Sequence, residues 1–297
     1  MPHLGPARAS GEGHTVDALT YGEAALAATS RPAVRGARRR HRVPCISLGV
    51  LGAALTIWQL GSRLGLISAL FFPAPTDILR FMFTGASFAY LADGAKTTLG
   101  RVFAGLLIGM VPAAVLGMLI GWSDRLRRAV DPFLAALHPI PKIALLPLLI
   151  VLFGLGEASK IIAISIGAFF PMALTAAAGA RRINPTFLEL AQNYGATRWQ
   201  TFTKIILPAT MPSIVVGVRL SFNVALLIAI SAEIAAARSG LGTILWFAWE
   251  TFRIEQLYAG LITVSVIGVG FNSLWSALVA RLLPWQDEAP QLGHDTR

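Results

Sequence analysis

The chain is poor in the residues that most often carry chemistry. Cys45 is the single cysteine in 297 residues, which excludes an intramolecular disulfide framework and any zinc site built on cysteines. Of the histidines His3, His14, His41, His138 and His294, only His138 lies in a long apolar stretch. A histidine-rich intramembrane metal site is therefore not available, and no metal is expected. No lysine is directly preceded by glycine, so a Gly-Lys-Ser/Thr phosphate cradle is absent; Lys96-Thr97 follows Gly94-Ala95 and fails for that reason. Charge is scarce as well. Only 13% of residues are charged against 55% hydrophobic, and the mean hydropathy is +0.65. A soluble domain of this length needs more charge to cover its surface, so the composition is that of a membrane protein.

What charge there is has a pattern. The net +10 is compatible with a nucleic-acid partner, but the basic residues cluster beside apolar spans, as at the cytoplasmic rim of a bilayer. No nucleic acid is expected. Residues 1–43 are polar and lack the apolar run of a signal peptide, while Arg35, Arg38, Arg39, Arg40 and Arg42 abut the first apolar segment. Residues 1–44 are expected to be a disordered basic leader on the cytoplasmic side, and 284–297 a cytoplasmic tail.

A bilayer core of about 30 Å needs about 20 apolar residues per helix. Segments of that length fall near 45–66, 98–121, 132–153, 160–180, 211–236 and 258–281. The expectation is an all-α, polytopic membrane helical bundle of about six transmembrane helices over residues 45–283, surrounded by lipid. With the N-terminus inside, Arg125, Arg127, Arg128, Arg181, Arg182, Arg198 and Lys204 fall on the cytoplasmic face, and an even number of spans returns the C-terminus there.

Several features inside the spans call for a physical reading. Phe72-Pro73-Ala74-Pro75-Thr76 imposes an extended lead into a short outer helix, with Thr76 as its expected N-cap. Gly105 with Gly109 and Gly117 with Gly121 are small-xxx-small pairs that let another helix approach closely. Pro139, Pro141 and Pro147 each remove a helix donor, so the third span should be broken, and the break beside His138, Pro141 and Lys142 is a candidate for the transport path. Lys142 snorkelling from a merely kinked helix is the plainer alternative. In the fifth span Asn223, Ser231 and Glu233 are further path candidates, because polar and ionisable groups are costly there. Arg219 is expected to anchor at the inner interface; Glu233 is expected to face a cavity or bond a neighbouring backbone.

The loop 182–208 is the most structured of the connections. Thr186 to Glu189 and Thr197 to Gln200 each fit a capping box, so two short helices can stand there. Gly195 between them permits a turn with φ > 0 or the close approach of another backbone, and Pro208 is expected to end the second helix. Leu188, Ala191, Gly195, Trp199, Phe202 and Ile206 recur at intervals of three and four, a stripe that also suits a helix lying on lipid headgroups.

The full spacing is more specific than the stripe. Glu189-Leu190-Ala191, then Gly195, then Ile205, Leu207 and Pro208 resemble the EAA loop of binding-protein-dependent ABC importer permeases, with only Leu190 departing from the usual alanine. The run from Phe72-Pro73-Ala74-Pro75 through Pro139-Ile140-Pro141-Lys142-Ile143-Ala144-Leu145-Leu146-Pro147 and Phe153-Gly154 to Ala232-Glu233 is similar to the sulfonate, taurine and nitrate branch, and the likeness covers roughly residues 50–283. The resemblance implies a type I ABC importer permease fold in a bacterial inner membrane. It implies a coupling helix seated in a groove of a cytoplasmic ATPase, with Glu189, Leu190, Ala191, Gly195, Ala196, Trp199, Phe202, Ile205, Leu207 and Pro208 at the contact. It also implies a solute-binding protein and a second permease copy, taken as a homodimer. ATP is then used by the partner subunit; the chain is not expected to be an enzyme or to bind a cofactor itself. For cargo, an aliphatic sulfonate or taurine-like anion leads, with nitrate and a pyrimidine thiamine precursor open. A stand-alone secondary carrier would show internal repeats and several buried ionisable groups. An intramembrane enzyme would need a nucleophile and base, or a metal cluster, gathered at one depth.

Overall fold

A computed structural model describes residues 45–282, so the expected leader and tail lie outside the described residues. The chain divides into two compact units, Met1–Ala53 and Ala54–Arg297, and of the first only the helical residues 45–53 are described. Every regular element among the described residues is helical. In chain order these are α1 (Cys45–Arg63), α2 (Pro75–Phe83), α3 (Gly85–Trp122), α4 (Asp124–Leu137), α5 (Leu146–Phe153) and α6 (Glu157–Arg181). Then come α7 (Pro185–Asn193), α8 (Arg198–Thr201), α9 (Leu207–Ala236), α10 (Leu241–Glu250) and α11 (Ile254–Leu282).

Four helical stretches among the described residues are long and apolar enough to cross a membrane: Gly85–Trp122, Glu157–Arg181, Arg198–Ala236 and Ile254–Arg281. The pair Asp124–Leu137 and Lys142–Phe153 adds a fifth if it is one span, bent by 85° at its break. That bend falls where Pro139 and Pro141 withhold donors, so the third expected span is broken rather than straight. With α1 covering most of 45–66, the helices are compatible with about six spans. The second runs longer than expected. At 38 residues and 1.5 Å per residue, α3 measures about 57 Å, so its first turns, with Asp93 and Lys96, reach past a core of about 30 Å.

Thr76 does not cap α2. The helix starts at Pro75, whose missing N–H is harmless in a first turn, and Ala74 occupies the N-cap. Thr76 Oγ1 instead accepts from Gln59 Nε2 and Arg63 Nη2, both at 3.0 Å, and Arg63 Nη2 also reaches Asp77 Oδ1 at 2.7 Å. The polar residues that interrupt the C-terminal end of the first span thus hold α2 against it.

The core is built on α6, which lies between α3 and α9. The glycine pairs of α3 face it. A Cβ built on Gly109 would stand 2.1 Å from the Ser165 carbonyl oxygen, and one on Gly117 would stand 2.4 Å from that of Ala173, so only a residue without a side chain lets the backbones meet. On the other side Ser221 Oγ donates to Ala168 O at 2.8 Å, and Phe222 is fully buried among Leu106, Ile164 and Ala168. A short helix, α10, follows α9. Its residues Leu241, Ile244, Leu245 and Ala248 are buried, with Leu241 and Ile244 packing against Ile78, Leu91 and Ala259.

Gly109→Ala should force α3 and α6 apart and lower stability by about 1–3 kcal/mol, the usual range for overpacking. Gly270→Ala, where no heavy atom lies within 4 Å, should stay within about 0.5 kcal/mol of the parent. Thermal unfolding of the detergent-solubilised protein separates the two; equal melting temperatures would show that the α3–α6 contact is slack.

Candidate functional site

Two regions concentrate function-bearing geometry, at opposite ends of the long helices. The first is the loop 182–208. Pro185 occupies N1 of α7, and Asn184 is the N-cap, its Oδ1 accepting from Thr186 N at 3.0 Å. The expected cap at Thr186 is therefore displaced by two residues, because proline at N1 fixes the helix start and leaves Asn184 as the cap. After Asn193 the chain closes a Schellman turn: Ala196 N donates to Ala191 O at 2.8 Å and Gly195 N to Gln192 O at 3.0 Å, with Gly195 at φ +67°. Among the described residues nothing lies within 4 Å of a Cβ built at Gly195, so the residue serves the turn. The second box forms as read, Gln200 N to Thr197 Oγ1 at 3.2 Å and Thr197 N to Gln200 Oε1 at 2.8 Å.

Pro208 does not end that helix. From α8 the chain passes through a π turn, Phe202–Ile206, and runs on into α9 without a stop. Leu207 N–H bonds Phe202 O across the π turn, so Pro208 lacks its donor where the hydrogen-bond ladder is already out of register.

Of the apolar stripe, Gly195 and Trp199 are exposed and the other four residues turn inward. Leu188, Phe202 and Ile206 pack with Met118 and Trp122 of α3 and Ala176 and Ala180 of α6, and Ala191 is also buried. Phe187, Leu190, Tyr194 (87% exposed) and Trp199 (72%) face outward, with Glu189 and Gly195 exposed among them. Ala196, Ile205 and Leu207 are half-buried and Pro208 is exposed.

The second region is a buried ion network around Arg101 of α3, which is 4% exposed. All five of its donors are engaged. Nε and Nη2 take the two oxygens of Glu157 at 2.5 and 2.7 Å, Nη1 takes Glu233 Oε1 at 2.7 Å and Ser239 O at 2.6 Å, and Nη2 reaches Ser239 Oγ at 3.0 Å. Glu233, whose side chain is wholly buried, also accepts from Thr98 Oγ1 at 2.9 and 3.0 Å and from Gly242 N at 2.9 Å. Gly242 lies in the first turn of α10, where amide groups and the helix dipole favour a carboxylate. A Cβ on Gly240, at φ +112°, would fall 2.4 Å from that carboxylate. A cavity of about 460 Å³ opens beside the pair, lined by Asp93, Lys96, Thr97, Gly100, Arg101, Glu157 and Ile161.

The path candidates do not gather at one place. Lys142 Nζ donates to the carbonyl of His138, and both sit against Phe170, the ammonium 4.4 Å and the imidazole 5.8 Å from its ring. Pro141 is exposed at the break. Ser231 Oγ bonds back to Leu227 O at 2.9 Å, Glu233 belongs to the ion network, and Asn223 pairs with Asn272 across to α11 at 3.1 Å. Arg219, which is exposed, is tied to Asn272 as well, by Nε at 3.1 Å. Sequence reading missed Arg101, Thr98 and Glu157. The signal was there, since an arginine inside a span is as anomalous as a glutamate. Among the described residues no group of His, Cys, Asp or Glu is arranged to hold a metal.

Residues 105–287 match the family described as binding-protein-dependent transport system inner membrane component. The chain belongs to that family. It is 33% identical over 248 residues to the taurine transport system permease protein TauC of Escherichia coli (strain K12), covering 82% of this chain and 90% of that one. It is 32% identical over 267 residues to the putative aliphatic sulfonates transport permease protein SsuC of Bacillus subtilis (strain 168), covering 88% and 95%. Among solved structures, the inward-facing MetNI methionine ABC transporter aligns with a TM-score of 0.60 at 19% identity, over 67% of this chain and 99% of that one, and so shares the fold. The protein is an inner-membrane permease of an ABC importer, in a family whose members work with ATPase and binding-protein partners.

Arg101→Leu should leave Glu233 buried without a counter-charge and destabilise the permease by about 3–5 kcal/mol. The double variant with Glu233→Leu should recover much of that loss, and Glu157→Ala, at an exposed carboxylate, should cost under about 1 kcal/mol. Melting curves of the parent, the Arg101 and Glu233 single variants and their combination form the double-mutant cycle; additive losses would mean that the two groups act independently.

Proposed function

We propose that this permease conducts a small sulfonate-type anion, such as taurine or an alkanesulfonate, delivered by an extracytoplasmic binding protein and driven by a separate cytoplasmic ABC ATPase. The names of the two relatives support the cargo. The observation that carries the coupling is the two-faced loop. Its inner residues are held on α3 and α6, while Phe187, Leu190, Tyr194 and Trp199 leave a large apolar patch facing outward beside Glu189. Exposed aromatic patches of this kind fit a protein partner better than water. The Schellman turn and the capping box fix the patch without deep burial, as a surface that must transmit force requires.

In this reading the arginine-rich side bearing the loop is cytoplasmic, both termini lie there, and two identical permease copies enclose the path within the lipid. Glu189 and Gly195 form the centre of the ATPase contact, flanked by the exposed Leu190, Trp199 and Pro208, while Ala191, Ala196, Phe202, Ile205 and Leu207 support that surface from within. Closure of the ATPase pair on ATP moves the loops and alternates access between the two sides. The break at His138 to Lys142 and the polar residue Asn223 border the path. The chain supplies no phosphate cradle, which is why an external ATPase is needed.

Trp199→Ala combined with Tyr194→Ala should cut binding-protein-stimulated taurine uptake in proteoliposomes at least tenfold while leaving the melting temperature of the isolated permease nearly unchanged. Gly195→Val should do the same, because a β-branched residue resists φ +67° and misdirects the turn. Uptake at the parental rate in both variants would remove the loop from the coupling role. Nitrate uptake without taurine uptake in the parent would replace the cargo.

A further inference from the structure

A second arginine lies deep in a membrane helix, in a setting opposite to that of Arg101. Arg219 is the thirteenth residue of α9, about 18 Å from the helix start at 1.5 Å per residue. It stands on a polar seam between α9 and α11. Arg219 Nε donates to Asn272 Oδ1 at 3.1 Å, and Asn272 Nδ2 donates to Asn223 Oδ1 at 3.1 Å and to Gly268 O at 2.9 Å. Behind the seam Phe222, Phe271 and Trp275 form a stacked aromatic wall, so the arginine has no apolar slot to withdraw into.

The pattern of donors is one-sided. Asn272 uses its oxygen and both amide hydrogens, and the oxygen of Asn223 is taken. Left without a protein partner among the described residues are the four N–H groups on Nη1 and Nη2 of Arg219 and the amide N–H groups of Asn223. Glu233 lies fourteen residues along the same helix, about 21 Å away, and is engaged by Arg101. At the level of Arg219 neither helix carries a carboxylate. Arg219 is exposed on this chain, and an unneutralised guanidinium inside a span is costly against lipid, so its place is toward the bundle interior or water. A site that offers donors and no acceptor selects an acceptor-rich anion, and the planar guanidinium fork matches two oxygens of an oxyanion.

We propose that Arg219, with Asn223 beside it, is an oxyanion contact inside the transport path, taking two oxygens of a sulfonate as the substrate crosses. The inference rests on the sulfonate reading above for its ligand. Asn272 is the positioning residue that holds the guanidinium through Nε and leaves the fork free.

The test uses the complete transporter, with ATPase and binding protein, in proteoliposomes supplied with ethanesulfonate. Arg219→Gln should raise the KM for uptake at least tenfold or reduce uptake by that factor while complex assembly and basal ATP hydrolysis persist. Arg219→Lys should restore part of it through charge. In a Cys45→Ser background, Arg219→Cys should react with the membrane-impermeant anion 2-sulfonatoethyl methanethiosulfonate, and ethanesulfonate should slow that reaction. Parental uptake by Arg219→Gln would overturn the proposal. So would an introduced thiol that stays inert in both the nucleotide-free and ATP-bound complexes, since the seam would then be closed by a second copy or by lipid. A wild-type transporter that takes up no ethanesulfonate refutes the sulfonate reading instead, and the labelling result still decides whether position 219 faces water.

Discussion

The Arg101–Glu233 pair is the constraint on which the rest of the permease depends. Two buried charges are tolerated only because every donor and acceptor around them is matched, and the matches come from four elements. Thr98 and Arg101 lie on α3, Glu157 on α6, Glu233 on α9, and Gly242 opens α10. Buried ion pairs are weak sources of net stability, because desolvation offsets most of the attraction. Their effect is to penalise any arrangement that separates the partners. Sliding α3 by one residue, about 1.5 Å, would disrupt the bonds that Thr98 and Arg101 make to the other elements. The network thus fixes register among helices that otherwise meet mainly through small apolar residues and the Ser221–Ala168 hydrogen bond.

That register matters because α6 and α9 run into the loop and the end of α3 packs against it. Arg101 and Trp122 are twenty-one residues apart on α3, about 32 Å along its axis. On α6 the distance from Glu157 to Ala180 is similar, and α9 with its π-turn extension carries Ile206 at one end and Glu233 at the other. Leu188, Phe202 and Ile206 rest on Met118, Ala176 and Ala180, so a push on the loop acts on all three helices together. Backbone contact at Gly109 and Gly117 leaves no compliant side-chain layer between α3 and α6 to absorb it. A docking surface at one end and a locked charge cluster at the other make these helices a strut rather than a set of independent spans.

Much of this was legible in the residues. Span positions follow from length and hydropathy, the break from three prolines, and the α3–α6 contact from glycines four residues apart. The capping box at Thr197 needs only local chemistry and formed as read. Errors arose where two local rules competed. Thr186 and Pro185 both mark a helix start, and proline at N1 prevailed, leaving Asn184 as the cap. Pro208 reads as a stop, but the π turn had already displaced the bond it would have broken. The short helix α10 shows apolar residues at three- and four-residue spacing, yet its burial depends on α2 and α11, which no local window contains. Partner choice is the least legible of all. Glu233 stands out alone in the sequence, whereas Arg101 lies 132 residues away.

The two intramembrane arginines show how little a charge in a span says by itself. Sequence gives both the same score, and a penalty for the bilayer treats them alike. Structure separates them by what their donors do. Arg101 uses all five, is surrounded by acceptors, and would gain nothing from a ligand unless Glu157 first let go. Arg219 uses one, is held in orientation by an asparagine, and has no carboxylate beside it on either helix of its seam. A fully matched ion is architecture. An ion held in place but left unmatched needs a counter-ion from outside the chain, and in the proposed reading a passing sulfonate supplies it.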